Sequence, residues 1–290
     1  MIAPVFLQNQ DIQRWLNGVV PIWTLLDFES FMALQRAPSK VNHALRLAND
    51  LTAAEVAGSA AARNAIILLR RAVDGDGLKL TATGNLSRSV VDELCQVFEW
   101  PNYDKDEAFR IHKVVNEPDF MPLYFVRGIA QMAGLLRPHR GKLIVTQLGN
   151  HVLGEDQQCA LQAILFHITF WHSDLTYFGR GLLGSWPQSD IGVLLWSLSV
   201  AALNWQLPEK LTRQCTIPVN GVLNTAWDAA SLAMEARILR PLLWFGLLEH
   251  KRENVTTAEH GTQHFYRKAP LFDRCLAFDV QIERNDAVRH

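Results

Sequence analysis

Arg137, His139, Arg140 and Lys142 crowd a stretch that reads as a tight hairpin. Cationic side chains on such a tip neutralise phosphate oxygens and release condensed counterions, so the chemistry they imply is contact with a nucleic-acid backbone. A second hairpin carries His250, Lys251 and Arg252, offset by Glu249 and Glu253. Lys251 and Arg252 join the first four as nucleic-acid-contacting residues. The competing reading is that basic residues merely solubilise a sheet edge.

No cofactor is expected from the remaining motifs. Gly179-Arg180-Gly181-Leu182-Leu183-Gly184 matches a dinucleotide pattern letter for letter. That chemistry needs a strand before it and a helix opening after it, so that the helix N-terminus meets the pyrophosphate. Here a helical segment precedes it and Ser185-Trp186-Pro187 follows, which reads as a flexible turn. Asp74-Gly75-Asp76-Gly77 resembles the start of a calcium loop, but Asn85 stands where a bidentate glutamate is needed. His167, His172 and Asp174 form the best metal-like cluster. On a straight helix the two histidines point roughly 140° apart, which forbids a shared ion. His260 and His264 are interrupted by Gly261. No metal site and no Ser/His/Asp or Cys/His signature is therefore expected.

The elements that must position the first basic hairpin run from Asp119 to Leu153. An apolar helix through Ala133 ends at Gly134, which can take the left-handed conformation of a helix stop. Strands at Leu135–Pro138 and Lys142–Val145 flank the turn, and Thr146 can cap a short final helix. Upstream, Thr52-Ala53-Ala54-Glu55 is a capping box opening a helix toward Val73. A short strand at Leu78–Thr81 and a helix from Ser87 to Phe98 come next. Helix, strand, helix, helix, hairpin is the winged-helix order. The hairpin's helix offers only Arg127 and Gln131 as polar base readers, and an otherwise apolar circumference predicts burial.

The pattern returns after a helical middle. Thr225-Ala226-Trp227-Asp228 is a second capping box, and Leu232, Ala236, Leu239 and Leu243 form a stripe. Gly246-Leu247-Leu248 repeats Gly134-Leu135-Leu136, and Leu271 and Leu276 match Leu148 and Leu153 in spacing. Residues 1–50 read as irregular helices at Asp11–Leu16, Ile22–Gln35 and Val41–Asn49. The expected fold is mainly α with short β-hairpins, two winged-helix-like domains flanking a helical middle. The boundaries are 1–51 (N-terminal helical segment), 52–154 (first winged-helix-like domain), 155–218 (helical middle), 219–283 (second winged-helix-like domain) and 284–290 (tail).

A chain of 290 residues with net charge −1 and 20% charged residues has a soluble globular composition rather than that of a strongly basic binder. Cys95, Cys159, Cys215 and Cys275 lie too far apart for a zinc ribbon and suit a reducing cytoplasm. Met1–Leu7 carries no secretory pattern. The apolar run Ile191–Trp205 is too short for a bilayer and reads as a buried helix, so no membrane is expected.

Four stretches together carry a resemblance: Leu80-Thr81-Ala82-Thr83-Gly84-Asn85-Leu86, the Gly-Leu-Leu hairpin, Thr169-Phe170-Trp171 through Tyr177-Phe178, and Arg267-Lys268-Ala269-Pro270-Leu271-Phe272-Asp273. Over roughly residues 60–280 the chain resembles a bacterial winged-helix-like region of unassigned function that accompanies plasmid- or transposon-passenger-like and SEC-C-type proteins. The resemblance brings no catalytic residues, and the cysteine-rich SEC-C tail is absent. The expectation is a non-catalytic binding protein, most simply a protein-interaction adaptor engaging a protein partner or a homo-oligomer. The alternatives are a weak, sequence-independent DNA-associated factor and an enzyme with an unrecognised site.

Overall fold

The computed structural model describes residues 8–103, 105, 110, 114–179, 183–223, 228–254 and 261–283. Residues 1–7, the 284–290 tail, Arg180–Leu182, Thr225–Trp227 and His260 lie outside the described residues. The described chain is mainly helical, with short antiparallel strand pairs. It divides into two compact units, Asn49–Ser173 with Trp244–Gly246, and the remainder.

The second of these units begins at the N-terminus. Asn9 caps α1 (Gln10–Leu16), its side chain accepting from Asp11 and Ile12 N–H groups. The stretch expected as one helix from Ile22 is split into a 3-10 turn, Ile22–Leu25, and α2 (Phe28–Leu34), because Asp27 starts a new cap. Val41–Asn49 contains no helix. Leu45–Leu47 is a strand, β1, with a partner near the far end of the sequence, a long-range pairing that local periodicity does not encode.

Within Asn49–Ser173, Thr52 and Glu55 satisfy each other's free N–H groups as expected, but the helix they open, α3 (Ala53–Ala57), is short. Gly58 interrupts it and Ser59 caps a separate α4 (Ala60–Asp74). β2 (Leu78–Lys79), α5 (Arg88–Val97), α6 (Met121–Met132), β3 (Leu136–His139), β4 (Lys142–Val145) and α7 (Gln147–His151) follow. The three strands form one antiparallel sheet in the order β2-β4-β3. Ala61, Ala65, Leu68 and Leu69 on α4, Val91 and Leu94 on α5, Leu123 and Val126 on α6, and Leu78 and Leu143 on the sheet are all buried. This apolar area, removed from water, is what holds three short strands together. Buried Asn64 donates to Ala60 O and Glu99 O at 2.8 Å each, fixing the chain that leaves α5. α8 (Gln158–His167) continues as a π turn, Ile168–His172.

The other unit resumes with α9 (Ile191–Ala201), whose residues from Ile191 to Leu198 are all buried. Gly192 lets α2 approach it: a Cβ there would lie 2.1 Å from Leu34 O. α10 (Pro208–Cys215), α11 (Asn220–Leu223) and α12 (Ala229–Met234) come next. Asp228 caps α12 through its side chain. A π turn, Glu235–Leu239, precedes α13 (Arg240–Trp244). Of the stripe expected from Leu232, Ala236 and Leu239 are buried and Leu243 is half-buried, whereas Leu232 is exposed; the π turn also brings Arg237, Ile238 and Leu242 into the buried set. Arg237 donates to Gly184 O and Trp186 O, satisfying the carbonyls of the preceding turn. The hairpin β5 (Leu248–Asn254) with β6 (Thr262–Lys268) is two-stranded. α14 (Pro270–Cys275) starts with proline in its first turn, and β7 (Leu276–Phe278) closes on β1. Leu276, matched with Leu153 in spacing, thus belongs to a strand.

Candidate functional site

The β3–β4 hairpin turns on two residues, Arg140 at φ 46° and Gly141 at φ 75°. Two consecutive left-handed residues make the tight turn that suits the twist of paired strands. Arg137 and His139 lie two apart on β3 and share one face. Together with Arg140 they are exposed, and their side chains make no hydrogen bond or ion pair among the described residues. Lys142 is different. Its ammonium donates to Asp76 O and Oδ2, both at 3.0 Å.

The helix before this hairpin has little left to read a base with. Pro122, Leu123, Phe125, Val126, Ile129 and Ala130 of α6 are buried. Arg127, one of its two polar readers, donates to Gly84 O at 2.8 Å and stands 3.4 Å from the carboxylate of Glu117. Glu117 is fully buried and accepts from Leu86 N at 2.6 Å. Burial raises its pKa, against the lowering effects of that hydrogen bond and of Arg127.

The second hairpin pairs most of its charges with one another. Lys251 pairs with Glu253 and lies 5.1 Å from the ring centres of both Trp205 and Phe265. The Arg267 guanidinium lies 4.6 Å from the Trp205 ring centre and pairs with Glu249. Arg252 is exposed. On the other face Glu235 Oε1 accepts from Tyr266 OH and pairs with His264 Nδ1, both at 2.8 Å. His250 packs on His264 and Tyr266 with ring centres 5.0 and 4.8 Å away. Burial, then the neighbouring His264, lowers its pKa to about 4. Burial raises the Tyr266 pKa, with Glu235 adding to the effect.

A cavity of about 480 Å³ opens beside this network, walled by Pro208, Glu209, Asp228, Ser231, Glu235 and His264 among others. Two of its carboxylates are already engaged. Asp228 accepts from Ser231 N and Oγ at 3.0 and 2.7 Å, and Glu235 is engaged as above. Glu235 and His264 are separated by most of a hairpin and a helix, and no local spacing in the sequence announces their contact.

The four cysteines are buried thiols that form no disulfide with one another. Burial raises the Cys95 pKa to about 11, which leaves a thiol rather than a nucleophilic thiolate. Asp174 accepts from Thr176 N and Oγ at 2.9 and 2.6 Å and those bonds lower its pKa. His167 and His172 are brought together. The π turn between them places their Nε2 atoms 3.1 Å apart, so the angular expectation drawn from a straight helix does not apply. Among the described residues no group of three or more His, Cys, Asp or Glu side chains is placed to hold a metal ion. No helix among them is long and apolar enough to cross a membrane.

Residues 57–158 match a family described as the Y4jL N-terminal domain. That range holds the sheet, α6 and the first basic hairpin. The chain is also similar to the uncharacterized protein y4jL of Sinorhizobium fredii (strain NBRC 101917 / NGR234), at 32% identity over 113 residues. The similarity spans 39% of this chain and 50% of that protein's length. No solved structure matches. The likeness is to a family of unassigned function.

Proposed function

We propose that the chain is a non-catalytic binding protein whose Asn49–Ser173 unit is a winged-helix-like module, and that its wing contacts nucleic-acid phosphates without reading sequence. The order α4-β2-α5-α6-β3-β4 and the strand order β2-β4-β3 support the winged-helix reading. The observation that carries the binding mode is the contrast between wing and helix. Arg137, His139 and Arg140 are exposed and unengaged, whereas Arg127 on α6 is committed to Gly84 and Glu117. Charge at a rigid tip supplies affinity, and base specificity needs side chains that α6 does not offer.

Fluorescence anisotropy with two unrelated duplexes at several salt concentrations tests this. Weak binding of equal strength to both is expected. Arg137→Ala with Arg140→Gly should flatten the dependence of log affinity on log salt by about 1.8 units. Selective binding that survives both changes, or none at low salt, overturns the proposal.

A second reading, a protein-interaction adaptor, is favoured by one observation in the other unit. Leu25, Phe28 and Met32 are 43%, 51% and 37% exposed, and the last two lie one helical turn apart on α2. Self-association in sedimentation velocity, abolished by Phe28→Glu with Met32→Glu, is its expected signature. A monomer at all concentrations removes the homo-oligomer form of that reading.

A further inference from the structure

His167 and His172 stand side by side across a π turn. The π turn Ile168–His172, closed by Ser173 N donating to Ile168 O at 2.8 Å, inserts one extra residue into the helical turn. Residues five apart then stand above one another, which an α-helix does only for residues three or four apart. Ring stacking of His167 on Trp171, with centres 5.4 Å apart and planes 20° from parallel, holds one imidazole in place.

Two distances discriminate between a hydrogen-bonded pair and a chelate. The Nε2 atoms are 3.1 Å apart and the ring centres 4.9 Å apart. A linear N–H···N bond of that length would put the ring centres about 5.5 Å apart, since each centre lies about 1.2 Å behind its nitrogen. Two nitrogens each about 2.05 Å from a common ion, subtending about 98°, would be about 3.1 Å apart with ring centres about 4.9 Å apart. The observed spacing is shorter than a linear hydrogen bond gives and equals the one a shared ion would give.

We infer that His167 Nε2 and His172 Nε2 chelate a single late first-row divalent ion such as Cu²⁺, Ni²⁺ or Zn²⁺, with water completing the coordination. Imidazole nitrogen suits these ions and not Mg²⁺ or Ca²⁺. The inference is independent of the wing proposal, because no residue is shared.

Equilibrium dialysis of the untagged full chain against CuCl₂, NiCl₂ and ZnCl₂ tests it. His167→Ala, His172→Ala, His172→Gln and the double alanine variant serve as comparisons. One ion per chain above the double variant is expected, with Cu²⁺ bound tightest and a loss of affinity of about tenfold or more in each single variant. His172 is exposed, so His172→Gln leaves the fold intact and keeps the test decisive should His167→Ala unfold the chain. The Cu²⁺ electron paramagnetic resonance spectrum should show two imidazole nitrogens in the wild type and lose that pattern in His172→Gln. Uptake equal to that of the double variant, or affinity unchanged by His172→Gln, overturns the site.

Discussion

Arg127 Nη1 stands 3.4 Å from Glu117 Oε1, and no part of the Glu117 side chain is exposed. A buried carboxylate beside a single guanidinium is weakly compensated. Removing the cation leaves an unpaired buried charge, which costs more than the pair contributes. Arg127→Met should therefore destabilise the chain by about 3 kcal/mol at neutral pH. The sign of its pH dependence follows from the raised Glu117 pKa. In that range the unfolded chain releases the proton first, so this group's contribution falls as pH rises through the folded pKa. Without Arg127 the pKa rises further, and the deficit should shrink toward pH 4. Urea titrations of both proteins at pH 4 and 7 measure this; an equal deficit at the two values counts against the buried ion pair.

Two helical glycines should respond in opposite directions to the same change. A Cβ at Gly192 would meet Leu34 O at 2.1 Å, whereas at Gly128 it would meet nothing within 4 Å. Gly192→Ala has to push α9 off α2, at a cost of about 1–3 kcal/mol. Gly128→Ala only removes backbone freedom from the unfolded chain and should stabilise by about 0.5–1 kcal/mol. Thermal melts of the two variants should move to opposite sides of the wild type.

Local signals carried much of the first unit. The Thr52 capping box, the Gly134 stop at φ 70°, the Arg140–Gly141 turn and the Thr146 cap each rest on residues a few positions apart. Phase shifts were not legible. Both π turns add one residue to a helix without any residue type that marks them, and each moves side chains that periodicity had placed elsewhere. The first brings His167 to His172, and the second includes Arg237 in the buried face. Pairings across long separations were hidden for a different reason. Nothing near Leu45 names Phe278, and nothing near Glu235 names Tyr266.

His250 links the second hairpin to pH. Its pKa is lowered to about 4, first by burial and then by His264. The folded chain therefore holds this proton less readily than the unfolded chain. Its contribution to stability is complete above the ordinary histidine value and is lost as pH falls from about 6.5 toward 4. His250→Gln should flatten the loss of stability over that window, with little change at pH 7.5. Denaturant midpoints at half-unit pH intervals give the slope. A variant with an undiminished acid slope would move the effect to other groups.

The two basic hairpins should differ in their share of any phosphate contact, although their sequences look alike. Lys251 already faces Glu253 and the Trp205 and Phe265 rings, while Arg137 faces solvent. A cation that is neutralised in the free protein releases fewer counterions when a phosphate arrives, since the phosphate must first displace its carboxylate. Arg137→Ala should lower the salt slope by about 0.9 units, whereas Lys251→Ala should leave it within about 0.3 units of the wild type. Anisotropy titrations on one duplex from low to moderate salt distinguish the two. Equal losses would mean that the second hairpin opens on binding, with Lys251 exchanging Glu253 for phosphate. A larger loss for Lys251→Ala would place the nucleic-acid contact on that hairpin and remove it from β3–β4.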